Sequence, residues 1–378
     1  MKIAFHAPLK PPDSPRPSGD RRMARLLMKA LIASGHDVRL ASRISTRDAT
    51  GNPQRQARLA ALGSRLAERL VRRYTAPGGW NPDLWFTYHL FYKAPDVIGP
   101  VVANALSIPY VVAEASHAPK RAKGPWRVGH VEVEAALARA DLVIGLNRRD
   151  RVCVEPVMGV LAQYKTLLPF LEIGPTEAKA VARDALIRKH GLISDAVWLL
   201  AVGMMREDAK LQSYRVLANA LACLDSSTPW QLIVVGDGPA RTLVEETLGP
   251  NTVFAGLLLD TELSRYYAAS DLFVWPSVCE AYGMALLEAQ SSGLPAVAGD
   301  SGGVSAILRD GKTGLLCQEG DAGSFARAVD RLLDDSQQRC DMGKAALSVC
   351  AREHGFNNAA RCLDEMLVDA LARFGRGA

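Results

Sequence analysis

Two runs of residues that are apolar at almost every position limit this chain more than any other feature. They are V-W-L-L-A-V (Val197–Val202) and Q-L-I-V-V (Gln231–Val235). A strand that is apolar throughout, and not only at alternate positions, is covered on both faces. Helices packed on each side of a parallel sheet provide that cover. Val253–Phe254, Leu272–Trp275, Ala296–Ala298 and Gly314–Cys317 continue the series. The N-terminal half alternates in the same way. Lys2–Ala7, Val38–Ala41, Asp83–Thr87, Tyr110–Ala113 and Leu142–Gly145 read as strands with helical stretches between them. The first of these helices runs from about Arg21 to Ser34 and stops at Gly35.

The pattern restarts after Leu168-Pro169-Phe170, and 378 residues are too many for one compact core. The expected division is residues 1–172, residues 173–355, and a last helix within 356–378 that crosses back to the first domain. The junction falls near Phe170–Pro175. The expected fold class is α/β, with two facing Rossmann-like doubly wound parallel sheets and a cleft between them for the ligand.

Several chemistries are excluded by counting. No run of about 18 apolar residues exists to span a bilayer, and M-K-I-A-F-H-A-P reads as a first strand, not a signal peptide. The seven cysteines are scattered, odd in number and lack C-x-x-C, which fits a reducing cytoplasm and not a disulfide scaffold. V-V-G-D-G-P-A-R (Val234–Arg241) carries Arg241 where a dinucleotide fingerprint needs its third glycine. D-G-K-T-G (Asp310–Gly314) lacks the glycine that a P-loop needs at position 306, where Ala306 stands. There is no H-E-x-x-H, no G-x-S-x-G and no D-x-D, so no metal is expected.

Charge is uneven. Residues 1–172 hold 26 Lys and Arg against 14 Asp and Glu, whereas the rest of the chain is net acidic. A basic half suits an anionic partner. No nucleic-acid-binding motif accompanies it and aromatic residues make up only 6% of the chain, so nucleic acid is not expected.

The informative stretch is W-P-S-V-C-E-A-Y-G-M-A-L-L-E-A-Q-S-S-G-L-P (Trp275–Pro295). A strand ends at Trp275, Gly283 permits a tight turn, and a helix begins near Met284. The first N–H groups of such a helix and its positive dipole end attract an anion. Glu280 precedes the helix and Glu288 lies within it. Eight helical residues rise about 12 Å, whereas glycosidase carboxyl pairs sit about 5 to 9.5 Å apart. The spacing favours two separate contacts along one extended ligand.

This stretch resembles the E-x7-E signature of family-4 retaining glycosyltransferases, with Glu280, Gly283, Glu288 and Ala289 in register. Val234–Pro239, Phe254–Val274, Gly299–Gly303 and Asp310–Leu316 are similar to further blocks of that family, in the same order. The likeness covers residues 197–340 strongly and the N-terminal half by architecture.

The resemblance implies a GT-B fold and a hexosyltransferase-type enzyme. It would move a sugar from a UDP- or GDP-sugar to an acceptor such as a glycolipid or cell-envelope polysaccharide precursor. The alternative is a non-catalytic homologue that acts as a binding or regulatory partner. Arg206 and Lys210 in V-G-M-M-R-E-D-A-K-L (Val202–Leu211) would bind the donor diphosphate. Glu280 would meet the donor sugar, and Glu288 the ribose hydroxyls. The backbone of Gly283, Met284 and Ala285, with Gly19 on the N-domain side, would line the diphosphate. His117 matches the family's active-site histidine, and Asp20 would lie on the acceptor side. The resemblance implies no cofactor and no metal.

Arg55–Arg73 is a further candidate surface. Leu59, Leu62, Leu66 and Leu70 form a stripe flanked by Arg55, Arg58, Arg65, Arg69, Arg72 and Arg73. Such a helix can lie in an anionic lipid interface. Gly63 weakens it, so that it would order on binding. The expected location is cytoplasmic and peripheral, at the inner face of the membrane.

Overall fold

The computed structural model describes residues 1–15, 18–147, 150–174, 177–280 and 282–377. Pro175, in the expected junction, lies outside the described residues. The chain forms two compact units, Met1–Leu168 with Phe356–Ala378, and Pro169–Gly355.

The first unit contains β1 (Lys2–His6), α1 (Gly19–Ala33), β2 (Asp37–Ser42), α2 (Pro53–Thr75), β3 (Leu84–Leu90) and α3 (Gly99–Leu106). It continues with β4 (Tyr110–Ala115), α4 (Arg127–Arg139), β5 (Leu142–Gly145), α5 (Arg151–Val154) and β6 (Gln163–Thr166). The strands pair in parallel in the order β2-β1-β3-β4-β5-β6. The sequence reading misses β6. Its Q-Y-K-T sequence is half-exposed at the sheet edge and carries no apolar run. The order reverses between β1 and β3, which in doubly wound sheets is where ligands bind. The C-terminal helix Phe356–Gly377 belongs to this unit. Asp364 pairs with His36 at 3.0 Å and Asp369 with Lys165 at 2.7 Å.

A buried polar hub ties β1, β3, β4 and α3 together. The Asp96 carboxylate accepts from the amides of Ile98 (2.9 Å) and Gly99 (2.8 Å), and from the hydroxyls of Thr87 (2.5 Å) and Tyr110 (3.1 Å). The His6 imidazole lies 3.8 Å away and is fully buried. A Cβ on Gly99 would stand 2.3 Å from that carboxylate, so only glycine fits there.

Helix α2 corrects the expectation for Arg55–Arg73. Asn52 caps it and Pro53 occupies its first turn. Leu70 is buried, Leu59 and Leu66 are half-buried, and Ala67 and Tyr74 join them on the core. Gly63 is a packing residue, because a Cβ there would lie 2.2 Å from Val97 Cγ2. The leucine stripe is therefore mostly turned inward, and the helix is ordered by packing. The six arginines remain exposed.

The second unit contains α6 (Lys179–His190), β7 (Val197–Val202), α7 (Ala209–Leu221), β8 (Trp230–Val235), α8 (Arg241–Leu248), β9 (Val253–Gly256) and α9 (Asp260–Ala269). After these come β10 (Leu272–Trp275), α10 (Met284–Ser291), β11 (Ala296–Gly299), α11 (Val304–Ile307), β12 (Gly314–Cys317), α12 (Ala322–Asp334) and α13 (Ser336–Glu353). Its parallel sheet runs β12-β11-β10-β7-β8-β9. Counted within the unit, that is the order 3-2-1-4-5-6 of dinucleotide-binding sheets, and it reverses between β7 and β10. The boundary after residue 172 is corrected to 168. The Leu171 amide donates to His354 O at 3.1 Å, and His354 Nδ1 lies 2.6 Å from Pro169 O, which pins this segment to the end of α13.

Candidate functional site

The reversal between β7 and β10 puts two loops beside each other at the C-terminal ends of these strands. The loop after β7 is seated by glycines. The Gly203 amide donates to Val235 O and the Met205 amide to Asp237 O, each at 3.0 Å. A Cβ on Gly236, at φ 145°, would lie 1.9 Å from Gly203 O, and one on Gly238 would lie 2.2 Å from Met205 O. The G-D-G of Val234–Pro239 thus serves loop-to-loop contact, which accounts for the absence of a complete dinucleotide fingerprint.

From this platform Asp208 caps α7 by accepting from the Lys210 amide at 2.9 Å. The Lys210 ammonium reaches across to Glu280 Oε2 at 2.5 Å. Trp275 Nε1, at the end of β10, donates to the same oxygen at 3.2 Å. The ammonium lies 5.3 Å from the centre of the Trp275 ring, and the edge of Tyr214 meets that ring at 5.0 Å. Both partners of the pair are largely buried, at 20% and 14% side-chain exposure. Trp275 is a site residue that the sequence reading uses only as a strand end. Its place beside Glu280 depends on the turn between them.

That turn is strained. Ser277 and Cys279 have φ of 55° and 48° without being glycine, and such conformations gather at functional sites. The amide of Val278 donates to Ser213 Oγ and that of Cys279 to Glu319 Oε1. The Glu280 amide faces Ser301 Oγ at 3.3 Å. Gly283, at φ 76°, starts α10 with no side chain capping it. The first amides of the helix, at Met284 and Ala285, therefore lie at an uncapped positive dipole end close after Glu280. Glu288 lies half-buried one turn further on and accepts from the Tyr267 hydroxyl at 2.9 Å.

Arg206 stands in the loop between β7 and α7. Its guanidinium pairs with Asp208 at 3.1 Å, and both side chains are about half exposed. The structure brings together Lys210, Glu280 and the start of α10, and leaves Arg206 at the rim of the loop.

The expected N-terminal residues lie in the first unit. Gly19 and Asp20 open α1, where Ser18 accepts from the Arg21 amide at 3.2 Å. Asp20 faces His89 Nδ1 at 3.3 Å, and Glu114 approaches the same nitrogen at 3.6 Å. His89 and Glu114 end neighbouring strands with φ of 64° and 57°. Burial disfavours charge on both members, yet the pairing holds Asp20 below the usual carboxylate range. Burial likewise pushes His89 down, but Glu114 and Asp20 together move it up. Neither His89 nor Glu114 is legible as a site residue, because both sit inside apolar strand runs.

His117 stands in the loop after β4. Its Nδ1 lies 3.1 Å from Cys153 O and its Nε2 lies 3.1 Å from Glu134 Oε1, with 5% side-chain exposure. Nδ1 faces a backbone carbonyl and Nε2 faces a half-exposed carboxylate.

Comparison with known proteins accords with this geometry. The family profile described as glycosyl transferases group 1 matches residues 196–335. A sulfoquinovosyl transferase of Arabidopsis thaliana is 40% identical over 127 residues, which cover 32% of this chain and 25% of that protein. The chain thus spans about a quarter of the length of that curated relative. Among solved structures, sucrose-phosphate synthase from Thermosynechococcus elongatus aligns over 99% of this chain and 100% of that one, with a TM-score of 0.76 and 19% identity. The Anabaena protein HepE in complex with UDP aligns over 98% and 100%, with a TM-score of 0.73 and 17% identity.

Proposed function

We propose, for a chain that belongs to the group 1 glycosyltransferases and has their GT-B fold, that it moves a sugar from a nucleoside-diphosphate sugar to a hydroxyl acceptor with retention. The supporting observation is the Lys210–Glu280 pair, set at the sheet reversal and beside the uncapped start of α10. As the sugar–phosphate bond breaks, the diphosphate gains negative charge. A preorganised cation and helix amides aimed at that charge lower the barrier. Lys210 and the amides of Met284 and Ala285 take this role, and no metal is needed for it. Glu280 leaves its ammonium partner to accept hydrogen bonds from the sugar hydroxyls, and Glu288 accepts from the ribose diol. On this reading the departing phosphate takes the acceptor proton.

UDP and GDP in a calorimetric titration, with a panel of their sugars for turnover, test this reading. Lys210→Ala should weaken the better nucleotide by about 10- to 100-fold, the scale of a hydrogen bond to a charged group. Affinity should be the same with and without EDTA. Unchanged affinity in the variant, or binding that needs added Mg²⁺ or Mn²⁺, would remove the metal-free cation role.

The acceptor reading is a lipid-linked or envelope glycan precursor, with the enzyme cytoplasmic and peripheral. No helix among the described residues is long and apolar enough to cross a membrane. Because Leu70 is buried and Leu59 and Leu66 are half-buried, leaving Leu62 as the exposed leucine of the stripe, contact would be mainly electrostatic, through the six exposed arginines of α2. Flotation on anionic vesicles should then recover the protein at low salt and lose it at high salt. Equal recovery on neutral vesicles would exclude this surface.

A further inference from the structure

His117, His130 and Glu134 form a cluster of metal-ligating side chains in the first unit. His117 stands in the loop after β4, and His130 and Glu134 lie one turn apart on α4. Both histidines turn Nε2 to the same carboxylate oxygen, Glu134 Oε1, at 3.1 Å and 3.4 Å. The two rings stack at 5.0 Å with an interplanar angle of 23°. All three ligand atoms lie within 4.8 Å of one another. The histidine side chains are almost fully buried, at 5% and 3% exposure, whereas Glu134 is open to solvent at 43%.

The hydrogen-bond count at this cluster does not close without a cation. Cys153 O can only accept, so His117 Nδ1 carries the proton that faces it. In the neutral ring this leaves a lone pair on Nε2, and that lone pair points at a carboxylate oxygen. Two acceptors 3.1 Å apart repel unless a positive centre lies between them. A metal ion held by both atoms is such a centre.

Tetrahedral zinc holds nitrogen and oxygen at about 2.0 to 2.2 Å, so neighbouring ligand atoms lie about 3.4 Å apart. The two distances to Glu134 Oε1, 3.1 and 3.4 Å, are edges of that size, and all three ligand atoms lie within 4.8 Å of one another. Two imidazoles and one carboxylate are a borderline donor set that suits zinc and not magnesium or calcium. The Nδ1–H of His117 on a backbone carbonyl is the outer contact that fixes the tautomer of a metal-bound histidine. We propose that His117, His130 and Glu134 bind one zinc ion, with water at the open fourth position on the exposed Glu134 side. The ion clips the loop after β4 to α4 and takes no part in sugar transfer. This inference does not rest on the transferase reading.

Zn²⁺ itself is the probe. Full-length protein, stripped with a chelator and dialysed, is titrated with Zn²⁺ by calorimetry, and bound metal is counted by elemental analysis. The expected result is one Zn²⁺ per chain and a rise in the melting temperature. Glu134→Gln and His130→Gln should each weaken binding at least tenfold, the usual scale for losing part of a metal site. Glu134 is half-exposed, so its variant keeps the fold, which circular dichroism verifies. Co²⁺ should give the visible bands of a tetrahedral ion in the parent protein and lose them in Glu134→Gln. No saturable Zn²⁺ binding would overturn the proposal. Equal binding in parent and variants would place the metal on other groups, such as the cysteines, and overturn it too.

Discussion

Glu280→Gln should lower sugar transfer by about ten- to a thousandfold, the range for removing one preorganised contact to a reacting group. The substitution keeps the length of the side chain and removes its charge. Trp275 Nε1 can still donate to the amide oxygen, so the turn at Ser277–Cys279 keeps one of its anchors. Lys210 loses its carboxylate partner but is left free to meet a diphosphate, so nucleotide affinity should hold or rise while turnover collapses. That split between binding and turnover separates loss of the sugar contact from loss of structure. Turnover within about threefold of the parent, with the identified donor and an unchanged circular dichroism spectrum, would exclude Glu280 from the reaction.

Asp96→Ala should destabilise the first unit by about 3 to 5 kcal/mol, the scale for leaving buried partners of a lost charge unsatisfied. The amides of Ile98 and Gly99 and the hydroxyls of Thr87 and Tyr110 would keep their burial and lose their acceptor. Asp96→Asn should cost less, because it retains an acceptor for the two amides that start α3. Denaturant unfolding followed by circular dichroism reads the loss. A loss below about 1 kcal/mol in the alanine variant would mean that the hub is not what holds β3, β4 and α3 together. The second unit has its own core, so its nucleotide affinity should be unchanged.

Much of the architecture is written in local pattern. Strands covered on both faces are apolar at nearly every position, and that pattern, with the alternation of strands and helices, finds eleven of the twelve strands, including the half-exposed edge strand β2 through its Val38, Leu40 and Ala41. The exception, β6, is an edge strand with one face partly in water, so its side chains carry no such demand. The E-x7-E frame likewise marks a strand end, a turn and a helix start, because each has its own local chemistry. Helix α2 shows the limit of this reasoning. Its leucine periodicity shows that an apolar face exists, but not that Val97 and the core cover it.

The amino-acid sequence by itself determined where the strands and helices lie, that there are two sheets, and which loop carries the two glutamates. Strand order was decided only in three dimensions, and strand order makes the site. Lys210 and Glu280 are 70 residues apart and meet because β7 and β10 are neighbours at the sheet reversal. His117 and Glu134 meet because the loop after β4 and the flank of α4 come together. Arg206 stands one turn before Lys210 and still pairs with Asp208 at the rim. Periodicity reports how deeply each residue is buried, since burial acts on residues one at a time. Contact between distant side chains depends on which strands lie side by side, and that is a property of the packed chain as a whole.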